Sequence, residues 1–393
     1  MHMRNLTARL RITQDTAISK PRKLARLSVA LFVTGSALLL APWPTGKAAE
    51  RVQLVAGGGP ETNTATPLLP EQARLDAPFG VDFDRAGNLY LVEMTGQRVR
   101  RLDSAGRLTI IAGTGTKGDG GDNGPALQAQ FNGMHNLAVS DAGQIYLADT
   151  WNNRIRKIDI ATGLLTRVAG TGESGYVGDG GPALEARFGG IYCASLDPRD
   201  KELFLADLDN RRIRAVTLRN GRVRLVAGNG QKGVPVDGAR AVSSPLVDPR
   251  AVIATRSGRV YILERSGHAL RVVERDGSIK TVVGTSGKPG NTGDGGPGHL
   301  ATLNGPKHLC EDLDGGILIA DTENHVIRKY HPKDHRMTRV AGTGQKGQKG
   351  IGGPPLELEL NQPHGVFVHP QGDLYIADSS NHRVLKVERP KNK

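Results

Sequence analysis

The sequence predicts an all-β fold, a six-bladed β-propeller built from four-stranded blades. Three observations predict it: a unit of about 57 residues that occurs six times, four short β-like runs in each unit, and chain ends that complement each other. Sheets of four strands, repeated four to eight times around a central axis, define a propeller. The six units are therefore predicted to be six blades.

Two markers define the repeat, and both recur at intervals of 56 to 58 residues. The first is an acidic residue that ends a β-like run, found at Glu93, Asp149, Asp207, Glu264, Asp321 and Asp378. The second is the glycine of a motif such as LVAG or RVAG, found at Gly57, Gly113, Gly170, Gly228, Gly284 and Gly342. Two independent markers that share one period predict six copies of one structural unit.

Each unit contains four runs typical of β-strands. In the second unit they read HNLAVS, QIYLAD, RIRKID and LLTRVAG, separated by DAG, TWNN and ATG. Branched apolar residues alternate with small or polar ones in the runs, while Gly, Asn and Asp occupy the short gaps. Four strands joined by tight turns are predicted for each blade.

The two ends of the chain predict a closed ring. The run RVQLVAG at 51–57 precedes the first complete unit, whereas the last unit stops at VLKVER without a fourth strand. Pairing residues 51–57 with the last blade would complete that blade and remove two exposed sheet edges. Residues 49–393 are therefore predicted to form one propeller domain.

The first 48 residues are predicted to be a signal peptide or a membrane anchor. A basic leader precedes the apolar run 27–40, which is shorter than the roughly 20 residues of a membrane span, and Ala48 and Ala49 offer a cleavage point. Export to the periplasm or the extracellular space is predicted. An uncleaved inner-membrane anchor is the alternative, and it would be the protein's one contact with a membrane. The formal charge falls from +13 to about +6 without this segment.

The repeat motifs resemble those of a known family. GDGGPA, GQIYLAD, NNRIRKI or NHRV, and VAGTG follow one another as they do in NHL repeats, and the resemblance covers residues 51–389. It implies a six-bladed propeller. The family includes binding platforms, RNA binders and a few enzymes, so the resemblance leaves the function open.

Comparison of the six copies separates scaffold from candidate site. The acidic markers occur in every copy and are predicted to accept backbone N–H bonds beside a tight turn. Three residues later each copy has Gly or Asn, residues that tolerate positive φ and are predicted to serve the turn. These positions are Gly96, Asn152, Asn210, Gly267, Asn324 and Asn381.

Two further features are assigned to the scaffold. An arginine stands seven residues after the acid in five copies, which predicts a ring of separated charges and disfavours a nucleic-acid partner. The glycine-rich segment GDGGDNGPA contains Asp119, Asp122 and Asn123, which could suggest calcium, but their spacing does not match an EF-hand loop. A structural turn is predicted there. The two cysteines, Cys193 and Cys310, lie in different units and predict no disulfide framework.

The candidate ligand site is the position at which each inner strand begins, because this residue varies among the copies and only His occurs twice. Six strand starts would converge on one mouth of the central channel, and polar and aromatic groups that converge there suit a small or anionic ligand. A wide channel mouth that tolerates any side chain is the alternative. Trp151, at the tip of the second blade, is a further candidate contact. The strand-start residues are Phe79, His135, Tyr192, Arg250, Lys307 and His364.

Two classes of related enzyme set the alternative function. Resemblance to the lyase that cleaves peptidyl-α-hydroxyglycine implies His135 and His364 as zinc ligands, Tyr192 as a base and Arg250 as a carboxylate clamp. A third ligand is missing, since His308 is one residue out of register and is predicted to point to the opposite face.

The sugar-lactonase propellers hold a divalent ion with carboxylates and an Asn. Here Asp82, Asp84 and Asn136 lie on inner strands, but they form no recognisable three-carboxylate cluster. The sequence thus favours a monomeric, exported binding module for a protein, peptide or glycan, without a cofactor. A lyase or hydrolase dependent on zinc or calcium is the alternative.

Overall fold

The computed structural model describes residues 50–61, 67–284 and 287–390, which form six four-stranded antiparallel sheets. The predicted leader, residues 1–48, lies outside the described residues. Within the described ranges, no helix is both long enough and apolar enough to cross a membrane. The predicted six-bladed propeller is confirmed, and each sheet is one blade.

The strands follow in chain order from the inner to the outer edge of each blade. Blade 1 consists of Pro78–Phe83, Leu89–Glu93, Arg98–Leu102 and Leu108–Ala112. Blade 2 consists of Met134–Val139, Gln144–Asp149, Arg154–Asp159 and Leu165–Ala169. Blade 3 consists of Ile191–Leu196, Glu202–Asp207, Arg212–Thr217 and Arg222–Ala227.

Blades 4 to 6 repeat this order. Blade 4 consists of Pro249–Ala254, Val260–Glu264, Ala269–Val273 and Ile279–Val283. Blade 5 consists of His308–Glu311, Ile317–Asp321, Val326–His331 and Arg336–Ala341. Blade 6 consists of Gly365–Val368, Leu374–Asp378, Arg383–Glu388 and, from the other end of the chain, Arg51–Gly57.

The helices of the described residues are single turns of 3-10 helix in connections and turns. They are Pro70–Gln72, Ala126–Gln128, Thr150–Asn152, Ala183–Glu185, Ala241–Ser243, Gly298–Leu300, Thr322–Asn324, Pro355–Glu357 and Ser379–Asn381.

The ring is closed by the N-terminal strand. Arg51–Gly57 pairs antiparallel with Arg383–Glu388, with Val52 opposite Val387. Each inner strand packs on the next, and that of blade 6 packs on that of blade 1. The predicted closure is confirmed, so no inner strand is left without a neighbour.

The core lies between neighbouring blades, where their apolar faces meet. The cluster that joins blades 1 and 2 includes Val92, Leu137 and Leu147, all of them buried. Successive side chains of a strand point to opposite faces of the sheet. Apolar residues that face one neighbouring blade therefore alternate with residues that face the other neighbouring blade. Six such interfaces hold the ring together.

The long connections cover the outer edge of each blade. The segment that enters blade 2 lies along its outermost strand, where the Asn123 N–H donates to Leu165 O and the Leu165 N–H donates to Gly124 O at 2.8 and 2.9 Å. The same pair of bonds recurs in blades 3 to 6, and in blade 1 both bonds are made by Leu68 with Leu108. An uncovered outer strand would expose its N–H and C=O groups to other chains. The GDGG segments therefore have the structural role that was predicted.

A buried arginine and carboxylate tie each blade together. The arginine seven residues after the acidic marker is no more than 1% exposed in blades 1 to 5. In blade 2, Arg156 Nε lies 2.9 Å from Asp122 of the GDGG segment, and its Nη1 lies 3.5 Å from Asp149. These guanidiniums are neutralised inside the protein. Their charges therefore form no basic surface for nucleic acid.

The interpretation of the turn was wrong in one respect. The residue with positive φ is not the Asn but the residue after it, for example Asn153 at 52° and His325 at 55°. The Asn side chain instead donates to the acid, and Asn152 Nδ2 lies 2.8 Å from Asp149 Oδ2. Asn210, Asn324 and Asn381 make the same bond to their own acid.

Removal of one charge from a buried pair should destabilise the fold. Arg271 and Glu264 are both fully buried, and Arg271 Nη2 lies 2.7 Å from Glu264 Oε2. We expect Glu264→Gln to lower the free energy of unfolding by about 3 to 5 kcal/mol, because an uncompensated guanidinium stays buried. Urea denaturation measures the loss.

The matched control is Glu202→Gln. Glu202 pairs with Arg224, whose side chain is 46% exposed. We expect this change to cost less than about 1 kcal/mol. Equal losses in the two variants would contradict the assigned role of the buried pair.

Candidate functional site

The six strand-start residues meet at one end of the channel, and we call them the mouth ring: Phe79, His135, Tyr192, Arg250, Lys307 and His364. Phe79 is stacked on His364, with ring centroids 4.0 Å apart, and meets the edge of His135 at 5.2 Å. The rings of His135 and Tyr192 are 4.6 Å apart, and the Arg250 guanidinium lies 4.4 Å from the Tyr192 ring centroid. Five residues from five blades thus form one continuous surface.

The scaffold places each of these residues. In every blade the acidic marker accepts a hydrogen bond from an N–H group 17 or, in blade 3, 18 residues earlier, which is three residues before the mouth ring. In blade 2, Asp149 Oδ1 accepts from Asn132 N at 2.8 Å, and His135 follows three residues later. The prediction that the acids accept backbone N–H bonds is confirmed. These bonds hold the chain segment just before the inner strand and so fix where that strand starts.

Both histidines of the mouth ring are held in one tautomer. Nδ1 of His135 lies 2.7 Å from Gly133 O, and Nδ1 of His364 lies 2.8 Å from Gln362 O. A carbonyl can only accept, so Nδ1 carries the hydrogen and donates it. Nε2 keeps its lone pair on each ring. The mouth thus contains two neutral imidazoles with an acceptor nitrogen each.

Burial and nearby cations lower the pKa of both histidines well below the usual value of 6.5. For His135 the larger cause is burial, and the second is Arg250; for His364 the causes are burial and then Lys307. Both effects disfavour the imidazolium form. Positive charge at the mouth therefore comes from Arg250, Lys307 and Arg265 and not from the histidines.

Arg250 is the exception among the buried arginines. Its side chain is 4% exposed, Nη1 donates to Tyr192 O at 3.3 Å, and Nε has no hydrogen-bond partner in the described part of the chain. Burial first, and neighbouring Arg265 second, lower its pKa to about 10. The other buried arginines of the described residues each contact a carboxylate. A buried charge without a counter-ion is costly, so this position favours an anion from outside.

The other cations at the mouth are neutralised. Lys307 Nζ lies 2.8 Å from Glu323 Oε1, and Arg265 Nε lies 2.9 Å from Asp248 Oδ2. Gln362 also donates to Glu323. Arg250 therefore stands beside two satisfied ion pairs, and it alone of these three lacks a carboxylate partner among the described residues.

Trp151 extends the aromatic side of the mouth outward. Its side chain is 47% exposed, and its ring centroid lies 5.5 Å from that of His135. The ring covers Gly133, where a Cβ atom would lie 2.3 Å from Trp151 Cε3. Lys117 Nζ lies 5.9 Å from the ring centroid. The aromatic surface thus continues from the channel to the rim of blade 2.

A polar bridge crosses the channel below the mouth ring. Asn136 Nδ2 and His308 Nε2 are 3.0 Å apart, although the two residues belong to blades 2 and 5 on opposite sides of the ring. The prediction that His308 points away from the channel was wrong. Lys307 and His308 both lie opposite Ala320, and a bulge of this kind interrupts the period-two alternation.

The predicted residues divide into three groups. The structure brings together the mouth ring and Trp151, and it places the acidic markers and their Asn partners in the scaffold. Asp84 follows the last residue of its inner strand, and its carboxylate accepts hydrogen bonds from Asn88 and Tyr90. The Asn136 to His308 bridge was missed, and only the polarity of these two inner-strand residues could have signalled it.

The two mouth histidines do not complete a zinc site. A catalytic zinc takes three protein ligands, and among the described residues no group of three or more His, Cys, Asp or Glu side chains could hold a metal ion. His308 is occupied by Asn136 and by the Val366 N–H group. The donor set at the mouth therefore fits an anion better than a metal cation.

Comparisons with known proteins agree with the fold. The profile of the NHL repeat matches residues 360–387, and that of the teneurin NHL domain matches residues 183–290. NHL repeat-containing protein 2 of Gallus gallus is 28% identical over 342 residues, which cover 79% of this chain and 46% of that protein. The chain thus spans less than half of that relative.

Solved structures share the architecture at low sequence identity. An auxiliary nutrient binding protein from Bacteroides thetaiotaomicron matches with a TM-score of 0.63 and 15% identity, over 87% of this chain and 77% of that one. A streptogramin B lyase matches with a TM-score of 0.52 and 13% identity, over 87% of this chain and 98% of that one. At such identities the likeness concerns the fold alone.

The mouth histidines should titrate at low pH. Since the folded state lowers their pKa, we expect His135 and His364 to titrate below pH 6.5, and acidification below 6.5 to favour the unfolded state, which binds the proton more readily. NMR titration of the imidazole C–H signals measures this. Midpoints at or above 6.5 would contradict the described burial.

Proposed function

We propose that this chain, which is an NHL-repeat six-bladed β-propeller, is an exported binding module whose channel mouth takes a protein, peptide or glycan ligand that carries an anionic group. The blades supply a rigid frame, and the six different strand-start residues supply the specificity. Binding sites of this kind combine an apolar surface with a few oriented polar groups.

The observation that carries the proposal is the uncompensated charge of Arg250. The fold pairs each of its other described buried arginines with a carboxylate, whereas Arg250 has no such partner among the described residues and a buried Nε without a hydrogen bond. A carboxylate or similar anion in the mouth would supply the missing counter-charge. Hydrogen bonds of this charge-assisted type contribute about 1.5 to 3 kcal/mol each.

The aromatic surface supports a ligand with flat or apolar faces. Tyr192 and the half-exposed Trp151 lie on the same side as His135, and the cations Arg250 and Lys307 lie further round the ring. A sugar ring or a peptide side chain would stack on the first side and place its charge on the second. A structural neighbour described as an auxiliary nutrient binding protein is compatible with this function.

Export is proposed from the leader sequence alone. The basic segment, the apolar run 27–40 and Ala48 and Ala49 favour a cleaved signal peptide, with an uncleaved membrane anchor as the alternative. A monomer is proposed, since one closed ring provides the whole mouth. Nucleic acid is not proposed as a partner.

Substitution of Arg250 tests the proposed site. We expect a screen of acidic and neutral glycans, and of peptides with free and amidated termini, to yield anionic ligands. Arg250→Gln should weaken their binding by about 10- to 150-fold, because the charge-assisted bonds are lost. Calorimetric titration of the best ligand measures the change, and Trp151→Ala should weaken binding less.

Arg275→Gln is the matched control, because Arg275 is exposed and lies outside the mouth. Its affinity for the ligand should equal that of the unaltered protein. The proposed site would be refuted if the screen yielded only neutral ligands, or if a folded Arg250→Gln variant bound the anionic ligand with unchanged affinity.

The alternative function is a metal-dependent lyase or hydrolase that uses the same mouth. The free Nε2 atoms of His135 and His364 are the observation in its favour. We expect the purified protein to contain no stoichiometric zinc or calcium, measured by inductively coupled plasma mass spectrometry. Stoichiometric metal that is lost in both His135→Ala and His364→Ala would support the enzyme and refute the binding module.

A further inference from the structure

The channel contains a second cavity below the bridge of Asn136 and His308. It has a volume of about 270 Å³ and is lined by inner strands of all six blades. Asp82, Ser195 and Phe367 line it, each three residues beyond a member of the mouth ring, which places them about 10 Å deeper along the strands. We call this cavity the lower chamber.

The bridge lies at the mouth side of the lower chamber. It joins blades 2 and 5 across the channel, and its two residues, Asn136 and His308, themselves line the chamber. Val139, Ala254 and Val368, the last residues of their inner strands, also line the chamber. The chamber therefore reaches the face of the propeller opposite the mouth.

Asp82 is the one lining carboxylate that lacks a cation. Its Oδ1 accepts the Phe83 N–H and its Oδ2 accepts the Val139 N–H, both at 2.7 Å, and no basic side chain of the described residues pairs with it. Glu311, the other carboxylate of the lining, pairs with Arg256 at 3.2 Å. The pKa of Asp82 is raised to about 7, mainly by burial and to a smaller extent by nearby Asp200, against the opposing effect of the two backbone hydrogen bonds.

No positive charge faces Asp82 from the bridge. Burial lowers the pKa of His308 to about 4, so its ring is neutral at physiological pH. The remaining walls are largely apolar and include Leu137, Ile253 and Phe367. Such surroundings disfavour the ionised carboxylate, and a cation bound beside it would favour that form.

We propose that the lower chamber binds a small organic cation, a primary alkylammonium whose N–H groups contact Asp82 and whose apolar tail contacts the walls. A divalent metal suits the chamber less well, because it needs several oxygen ligands and no group of three ligating side chains was found among the described residues. The volume lies below the roughly 300 Å³ of the smallest drug-sized pockets, so the ligand is small.

The experiment compares n-butylammonium with n-butanol, its neutral analogue of similar size. Calorimetric titration at pH 8 should show that the ammonium binds at least about tenfold more tightly, because only it forms charge-assisted bonds with Asp82. Equal affinities, or no binding of n-butylammonium, would overturn the proposal. The proposal would also be overturned if the protein bound calcium through Asp82 and did not bind n-butylammonium.

Two variants locate the site. Asp82→Asn should remove the preference for the ammonium, and Ala138→Leu should block both probes by filling the chamber without altering the carboxylate. Asp141→Asn is the matched control, since Asp141 is an exposed acid that pairs with Arg85, and its affinity should not change. Circular dichroism establishes that each variant is folded. Retained ammonium binding in folded Ala138→Leu would refute this location, and it would leave the separate proposal for the mouth untouched.

Discussion

Each blade depends on one buried carboxylate that joins three segments distant in sequence. The carboxylate ends the second strand, accepts an N–H bond from the chain just before the first strand, and contacts an arginine of the third strand. Because a buried ion is costly without partners, the blade must assemble all three contacts together. The mouth residue follows the first contact by three positions. The scaffold motif therefore determines where the functional side chain lies.

The six copies satisfy this constraint with three sets of residues. Blades 1 and 4 use Glu with Gly three positions later, since the longer acid fills the space: a Cβ at Gly267 would lie 2.5 Å from Glu264 Oε2. Blades 2, 3 and 5 use Asp with Asn, and the GDGG segment adds a second acid for the arginine. In blade 6 Leu385 occupies the usual arginine position. The arginine of this blade is Arg383, whose Nε lies 2.7 Å from Asp378 Oδ2.

The channel departs from this balance at two levels. Above the bridge, Arg250 has no carboxylate partner among the described residues, and below it Asp82 has no cation. The bridge of two neutral side chains holds these opposite charges apart. The scaffold pairs its other described buried arginines with carboxylates, but it leaves one group of each sign without an oppositely charged partner in the channel. This arrangement has the polarity expected of two separate ligand sites.

The sequence by itself determined the number of blades, the ring closure by residues 51–57, and the set of strand-start residues, because a 57-residue period and a copy-by-copy comparison are properties of the chain order. Only the tertiary structure decided which of those residues touch. Asn136 and His308 are 172 positions apart and meet across the channel. A bulge turned His308 inward against the period-two expectation, and the missing partner of Arg250 became visible only when the neighbours from other blades were in place. Charge balance and bulges depend on contacts between blades, and the order of residues along one strand does not encode them.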